Sequence, residues 1–467
     1  MGRDAFDIIM IGSGPGGYVA AIRAAQLGMQ TALVEKEPAP GGTCVHWGCI
    51  PAKAMLRSAE VLDTARGAAA FGIRVAGAEL DLAAMHAYKA RTVQANVKGI
   101  EYLLRKHGIT LLAGVGRLAG PGRVTVTPAG GAPRTIETRA TVLATGSAIR
   151  GLPGVDFDGT HVLNSDHALM LDHVPASMIV LGAGAVGVEF ASVYRSFGSQ
   201  VTLVELLPRL LPLEDEALGQ ELERAFRKRG IAVHAGTKVE SIERTKTGVR
   251  LVARAGDRET RLEAQVLLVA VGRAPRSEDL GLAGTRVEVS ERGFVRVDPQ
   301  MRTGEPGVYA IGDLVETPAL AHVASHEGVV AVERAAGRAP HPIDYDKVPS
   351  CTYCHPEVAS IGLTEARARE RGHDVVLGTF PFSAIGKARI LNDTRGFVKI
   401  VAERKTDEVL GIHMIGPHAT ELIAEATAAL SLEATAESLF HAVHAHPTLA
   451  EALGEAALAV HGRAIHI

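Results

Sequence analysis

No apolar run in this sequence approaches the roughly 20 residues that a membrane-spanning helix needs, so a membrane role is not expected. Charge of one sign is missing too. The 49 basic residues face 52 acidic ones, and the net charge is −3. That balance favours neither nucleic acid nor an anionic membrane as a partner. The N-terminus, with Asp4 and Asp7 and only a short apolar run, does not read as a signal peptide. Phe6 stands where a myristoylation signal starting at Met1-Gly2 would carry Ser or Thr. Cysteine is scarce, at four residues. In a chain without a secretion signal, so few cysteines point to catalytic, redox or metal roles and not to a disulfide framework. A cytoplasmic location is therefore expected. There is no low-complexity tract, and the apolar fraction of 47% is ample for a core.

Glycine, in contrast, is placed with a pattern. Gly12-x-Gly14-x-x-Gly17 is followed by Glu35, and Gly182-x-Gly184-x-x-Gly187 is followed by Glu205; all four positions are displaced by 170 residues. Each copy opens on an apolar run (Ile8 to Ile11; Met178 to Leu181) and closes on another (Ala32 to Val34; Thr202 to Val204). The first glycine permits a tight turn, the second lets backbone approach a pyrophosphate, and the third lets helix pack on sheet. The helix N-terminus then offers N–H groups and a positive dipole end to phosphates. The closing acid can accept from a ribose 2′-OH and repels a 2′-phosphate, so Glu205 favours NAD over NADP, although Arg209 lies nearby. Two copies in register predict two dinucleotide sites and electron transfer between cofactors.

Residues 7–35 read as strand, helix, strand. Cys49 to Gly67 is helix-compatible apart from Pro51, and 81–107 has helical spacing. Short strands are predicted at Arg123 to Thr127 and Thr135 to Glu137, and buried strands at 141–145 and 266–271. The last stretch, 350–467, mixes strands (396–401, 409–415) with Ala-rich helices (420–430, 449–460).

Gly41-Gly42-Thr43-Cys44-Val45-His46-Trp47-Gly48-Cys49-Ile50-Pro51-Ala52-Lys53 is the most specific local stretch. Its two cysteines read as metal ligands, core residues or a disulfide. In a regular helix their Cα atoms would lie about 8–9 Å apart. A disulfide needs less than roughly 7 Å. Bonding would therefore require a distorted helix start, which Gly48 can supply. A second pair, in Cys351-Thr352-Tyr353-Cys354-His355, fits the haem c attachment pattern. Haem c requires export, so ordinary thiols, a zinc site or a second redox pair are the alternatives. His441, His444 and His446 could bind metal or be plain loop residues. In His446-Pro447-Thr448-Leu449-Ala450-Glu451, Pro447 disfavours helix at His446 and suits a first helical turn. Glu451 could then accept from one ring nitrogen of His446 and leave the other free.

The cysteine segment resembles the active-site segment of the flavin disulfide oxidoreductases, and the likeness runs the length of the chain. It implies an α/β fold: two Rossmann-like dinucleotide-binding domains plus a C-terminal α+β dimerisation domain. The boundaries would be 1–150 for FAD, 151–278 for NAD, 279–348 for a central domain completing the FAD site, and 349–467 for the interface. By resemblance Cys44 and Cys49 form a redox disulfide. Gly12, Gly14, Gly17, Glu35, Lys36, Gly42, Thr43, Lys53, Gly116, Thr145, Gly146, Gly312, Asp313, Ala321 and His322 contact FAD. Gly182, Gly184, Gly187, Glu205 and Gly272 serve NAD, and Glu189 matches a glutamate that pairs with the lysine beside the flavin. His446 and Glu451 match the base motif, with no metal required. Cys44 and His446 are 402 positions apart; the resemblance implies that they meet across a homodimer.

Among relatives acting on lipoamide, glutathione or mercury, the residues favour lipoamide. Glu205 points to NAD, whereas the other two mostly use NADPH. The last cysteine is Cys354, so the C-terminal cysteine pair of the mercury enzymes is absent. Phe380-Pro381-Phe382-Ser383-Ala384 also looks like the lipoamide members. The implied activity is oxidation of protein-bound dihydrolipoamide with reduction of NAD⁺, with lipoyl domains of 2-oxoacid dehydrogenase complexes as partners. An NAD(P)H-dependent reductase of another disulfide is the alternative. Val45-His46-Trp47 and Ala52 depart from the family pattern.

Overall fold

The computed structural model describes residues 5–467; Asp4 and the Met1-Gly2 pair lie outside the described residues. The chain forms two compact units. One comprises Met1–Ala54, His86–Arg150 and Arg273–Tyr345; the other comprises Met55–Met85, Gly151–Gly272 and Asp346–Ile467.

The first unit is built on the strand Ala5–Ile11, whose Ile8, Ile9 and Met10 are wholly buried. Such continuous burial is the signature of a central parallel strand. Each of these side chains contributes roughly 1.5–3 kcal/mol by leaving water. Thr31–Glu35 and Arg134–Leu143 flank it in parallel, Thr110–Ala113 and Val308–Ala310 extend the parallel set, and two antiparallel strands, Arg123–Thr127 and Val115–Leu118, complete the sheet. The direction of strand addition reverses between Ala5–Ile11 and Arg134–Leu143. In open α/β sheets ligands bind outside the carboxyl ends of the strands at such a switch point.

The second unit repeats this plan. Ser177–Leu181 is flanked in parallel by Gln200–Val204 and Val266–Val269, with Ala232–His234 and Val162–Leu163 at the edges. An antiparallel meander, Lys238–Arg244, Val249–Ala255 and Arg258–Ala264, completes it. The 170-residue displacement persists in the register: Ile11 pairs Val34 as Leu181 pairs Val204. One difference is instructive. In the first copy Arg134–Leu143 is a single ten-residue strand, where two shorter pieces were expected; it serves both the meander and the parallel set. In the second copy those tasks fall to two strands, 258–264 and 266–269.

The C-terminal part of the second unit is a five-stranded antiparallel sheet in the order 350–352, 357–362, 409–416, 397–403, 375–381. Helices Ala419–Ser431 and Glu451–Val460 share its core with Phe380, Phe382, Ile412 and Leu453. The mixed α/β architecture expected from the sequence is thus the one observed. Pro51 does not interrupt the helix Cys49–Arg66, because it lies in the first turn, where its missing N–H has no intrahelical partner to lose.

A buried ion cluster ties this sheet to the loop beyond Glu205. Lys399 Nζ lies 2.9 Å from Asp215 and 2.9 Å from Glu365, and Ser350 donates to Glu214 at 2.7 Å. Burial acts to raise the Asp215 carboxyl, but His413, Lys399 and the Glu365 N–H outweigh it and hold it low. Its stabilisation is full above an unfolded value of about 3.9 and is lost as the pH falls through the depressed folded value. Lys399→Met leaves the buried Asp215 without its ammonium, while Glu365 keeps Arg369 at 3.0 Å, and is expected to cost about 3–5 kcal/mol, read by urea unfolding. Pairing it with Asp215→Asn should recover part of the loss; a cost under about 1 kcal/mol would mean that the pair behaves as if exposed.

Candidate active site

The two glycine motifs have the same geometry. A Cβ on Gly12 would overlap the Ala144 carbonyl oxygen, and one on Gly182 would overlap that of Ala270. A Cβ on Gly17 or Gly187 would overlap the carbonyl oxygen of the first glycine in its own motif. At Gly14 and Gly184, in contrast, an added Cβ meets nothing within 4 Å, so only the space beside the helix N-terminus would be filled. Both helices, Pro15–Gln26 and Ala185–Phe197, start without a side-chain cap and without an acid in the first turn. Their first N–H groups are left for an anion. This donor set fits the pyrophosphate of a dinucleotide in each copy.

The closing acids match as well. Glu35 is buried and accepts from Ser13 N at 3.0 Å and Glu37 N at 2.9 Å. Glu205 is buried and accepts from Ala183 N at 2.6 Å and Leu207 N at 2.8 Å. These bonds fix each carboxylate at the strand end, and a carboxylate with two such bonds has lone pairs left for a ribose hydroxyl. Arg209 turns Nη2 to the Pro212 carbonyl at 3.3 Å. Lys36 is exposed, with Nζ 3.9 Å from Glu37.

The cysteine segment packs on the first motif. A Cβ on Gly42 would stand 2.6 Å from Gly14 Cα, and Gly41 N donates to Ser13 O at 3.1 Å. Thr43 and Cys44 lie on a short helix, Gly42–His46, and Cys49 opens the helix Cys49–Arg66. The distortion needed to bring the cysteines together is therefore a full break, at Trp47-Gly48. A Cβ at Gly48 would come to 3.0 Å from Thr43 O and 3.4 Å from Cys44 Cα, so glycine lets the chain fold back on itself. Cys44 and Cys49 are hydrogen-bonded to one another. That bond, then burial, then the charge of a Cys49 thiolate, push the Cys44 ionisation far above its ordinary range; the Lys53 ammonium acts against them. Cys44 thus keeps its proton more tightly than an ordinary thiol. Lys53 follows Cys49 by four residues, on the same helix face.

The departures from the family pattern have physical roles. Val45 is buried in the core of the first unit with Met10, Leu33 and Ile100, and so anchors the short helix. His46 Nε2 is 3.0 Å from the Pro40 carbonyl, and Trp47, 38% exposed, lies against the His46 ring at 5.1 Å.

Thr145, Gly146, Gly312 and Asp313 follow parallel strands of the first sheet and lie at its same end. Ser147 donates to Asp313 at 2.5 Å and receives Arg273 Nε at 2.6 Å, so Asp313 is held by a hydroxyl that an arginine orients. Thr145 Oγ1 donates to Arg276 O at 2.9 Å, and Arg276 N donates to Gly146 O at 2.9 Å. Gly312 N donates to Glu327 at 2.6 Å, and Tyr345 donates to the other oxygen at 2.9 Å. Burial raises the Glu327 carboxyl against these bonds. Ala321 and His322 start the helix Ala321–Ala335. Gly116 serves packing: a Cβ there would press on Ile11 at 3.0 Å and Val34 at 3.1 Å. Gly272 follows the strand Val266–Val269 with open space around it. Glu189 is buried and accepts from Tyr353 N at 3.0 Å.

Sequence reading missed Ser147, Arg273 and Glu327, which carry no motif. It also missed Gly16 and Gly328, where helices Pro15–Gln26 and Ala321–Ala335 touch: a Cβ on Gly328 would stand 2.7 Å from Gly16 O. A signal existed. The second motif has the exposed Val186 at the position equivalent to Gly16, so only the first helix needs a close neighbour.

His446 Nδ1 donates to Glu451 at 2.9 Å, and Thr448 N donates to the other Glu451 oxygen at 2.9 Å. Burial acts to raise the Glu451 carboxyl, but His446 and Thr448 N outweigh it and hold it low. His446 is 77% exposed at the side chain, with Nε2 directed away from this bond. The helix begins at Glu451 and not at Leu449 or Pro447: Leu449 to Ala452 forms a tight turn closed by Ala452 N to Leu449 O at 3.1 Å. The His446–Pro447 peptide is cis. The other histidines do not converge. His444 pairs Glu425 at 2.6 Å and His441 lies 3.6 Å from Glu437. Among the described residues no group of three or more His, Cys, Asp or Glu is placed to hold a metal ion. Cys354 is buried with its thiol on Pro356 O at 3.2 Å, and burial pushes its ionisation far up; Cys351 faces Thr420 O.

Residues 6–328 match the pyridine nucleotide-disulphide oxidoreductases, and residues 348–457 match the dimerisation domain of the same family. The chain belongs to this family. It is 45% identical to a dihydrolipoyl dehydrogenase of Bacillus subtilis, over 99% of each chain. It is 46% identical to one of Chlorobaculum tepidum, over 97% of this chain and 96% of that one. Among solved structures, LpdA of Mycobacterium tuberculosis aligns with a TM-score of 0.89 at 29% identity, covering 96% of this chain and 98% of that one. Among the described residues no helix is long and apolar enough to cross a membrane.

Proposed function

We propose that this pyridine nucleotide-disulphide oxidoreductase is a dihydrolipoyl dehydrogenase using FAD and NAD. The observation that carries the reading is end-to-end similarity, above 40% identity, to enzymes of that name. The paired Cys44 and Cys49 beside the first glycine motif support it. The four segments 1–150, 151–278, 279–348 and 349–467 are the FAD, NAD, central and interface domains. The active form is a homodimer in which His446 of the partner subunit serves the cysteines. The physiological substrate is the lipoyl group of a carrier domain in a 2-oxoacid dehydrogenase complex. A cytoplasmic location is part of this reading, since four cysteines, two of them a catalytic pair, do not make a disulfide framework.

The residues act as follows. His446 Nε2 takes a proton from one dihydrolipoyl thiol, and Glu451 stabilises the resulting imidazolium. The thiolate attacks Cys44 Sγ of the oxidised pair; the Cys44–Cys49 bond breaks and Cys49 leaves as a thiolate. The second lipoyl sulfur then attacks the first and closes the ring as the lipoyl–Cys44 bond breaks; its proton passes to the departing Cys44, leaving Cys44 as a thiol, Cys49 as a thiolate and the first proton on His446. Two electrons have passed from the dithiol to the cysteines. Gly12 to Gly17, Glu35 and Asp313 would hold FAD, and Gly182 to Gly187 and Glu205 would hold NAD⁺; the two groups would supply the route by which those electrons leave as NADH. Lys53 favours negative charge beside the cysteines, and Glu189 is its proposed partner.

The test is NADH formation from dihydrolipoamide and NAD⁺, with NADP⁺ in parallel. Turnover with NAD⁺ at least tenfold above NADP⁺ is expected. No turnover of the FAD-loaded protein would overturn the reading and turn attention to other disulfides. Trp47 gives a second readout: its emission is expected to be strongly quenched by FAD and to change on reduction, and unquenched, redox-insensitive emission would contradict its placement.

A further inference from the structure

The proposed base is one of two like constructions on a single helix. Glu451 and Glu455 stand one turn apart on Glu451–Val460, hence on the same face. Each carboxylate holds an imidazole by Nδ1: His446 to Glu451 at 2.9 Å and His466 to Glu455 at 2.6 Å. Each also accepts backbone N–H on its other oxygen, from Thr448 at 2.9 Å in the first case and from Ile465 at 2.9 Å in the second. The chain reaches this position by leaving the helix at His461, turning at Gly462 with φ +66°, and running back along the helix. The second imidazole is not a packing residue, since its side chain is 68% exposed, whereas Glu455 is buried.

We propose that His466 is a positioning residue for the base: it neutralises the buried Glu455 one turn from the dyad and so limits how tightly His446 holds its proton. This rests on the assignment of His446 above. The reason is electrostatic. An uncompensated Glu455 carboxylate would add a second negative charge to the face that carries Glu451, and negative charge favours imidazolium. An imidazolium is a cation that fits the paired geometry seen at Glu455 and supplies that compensation. The charges of both His446 and His466 act to lower the Glu451 carboxyl. Of the charged groups on neighbouring elements, His444 pairs with Glu425 from the helix Ala419–Ser431, His461 with Asp407 at 3.2 Å and His441 with Glu437 at 3.6 Å, and Arg463 lies exposed on the returning segment.

The experiment is the pH dependence of kcat/KM for dihydrolipoamide on the FAD-loaded dimer, from pH 5.5 to 8.5, for wild type, His466→Gln and His466→Lys. Gln keeps an N–H for Glu455 but carries no charge; Lys carries a charge throughout the range. With Gln the acid limb is expected to move up by roughly half a pH unit, giving about a threefold loss below the limb and none on the plateau. With Lys the limb should return to or fall below that of wild type. Equal loss at every pH with an unmoved limb would reduce His466 to a structural tether, and an unchanged profile in both variants would also overturn the proposal. His446→Gln run beside them separates the two levels: if that variant keeps full turnover, the base assignment fails, whatever His466 does.

Discussion

Replacing Cys44 by serine is expected to abolish dihydrolipoamide oxidation. The expected loss in kcat/KM is about 10⁴-fold or more, the scale on which removal of an enzymic nucleophile acts. Serine keeps the size and the hydrogen bond but cannot form the mixed disulfide with substrate. NADH-dependent reduction of a dye acceptor should persist in the same variant, because it does not need the substrate-facing sulfur. The pair of measurements matters more than either alone. Loss of both would point to a failure to bind cofactor or to fold, and retention of lipoamide turnover within tenfold would remove Cys44 from the chemistry. The geometry supports this division. Cys44 keeps its proton through Cys49, while Cys49 begins the helix that carries Lys53 on the same face.

The second large effect is expected at His446. His446→Gln should lower kcat/KM by about 10²- to 10⁴-fold at neutral pH, the usual contribution of a positioned acid–base group. Its pH profile should change as well as its height. Without an internal base the substrate thiol must ionise by itself, so the residual rate should rise about tenfold per pH unit until the thiol pKa, near 8.5, is passed. Wild type should level off earlier. Glu451 is held below the ordinary carboxyl range by His446 and Thr448 N, so the orienting carboxylate stays ionised across that profile. A variant whose rate is pH-independent and within threefold of wild type would show that the substrate proton leaves by another route.

Much of this site could be read from the sequence because its parts are local. A glycine motif depends on a few adjacent backbone positions, and the overlaps expected for Gly12, Gly17, Gly182 and Gly187 are met within their own turns or at the neighbouring strand. The need for a distorted helix start between Cys44 and Cys49 follows from helix rise alone, and the break at Trp47-Gly48 is where it is relieved. The His446–Glu451 pair also spans only five residues.

Other features depend on residues far apart in the chain. Nothing near Asp313 announces Ser147 and Arg273, which reach it only because the sheet places 147, 273 and 313 at one end. The role of Val45 as an anchor depends on a core drawn from stretches as far apart as Ile8 and Val332. Glu455 and His466 are eleven residues apart, but the bond between them exists because the chain doubles back past Gly462. The sequence by itself determined the two nucleotide modules, the cysteine pair and the imidazole–carboxylate dyad, since each is a short-range pattern with one favourable geometry. Tertiary structure alone decided which polar groups hold the distant site residues and how the lone charges are matched. Those bonds depend on which segments the buried strands bring side by side.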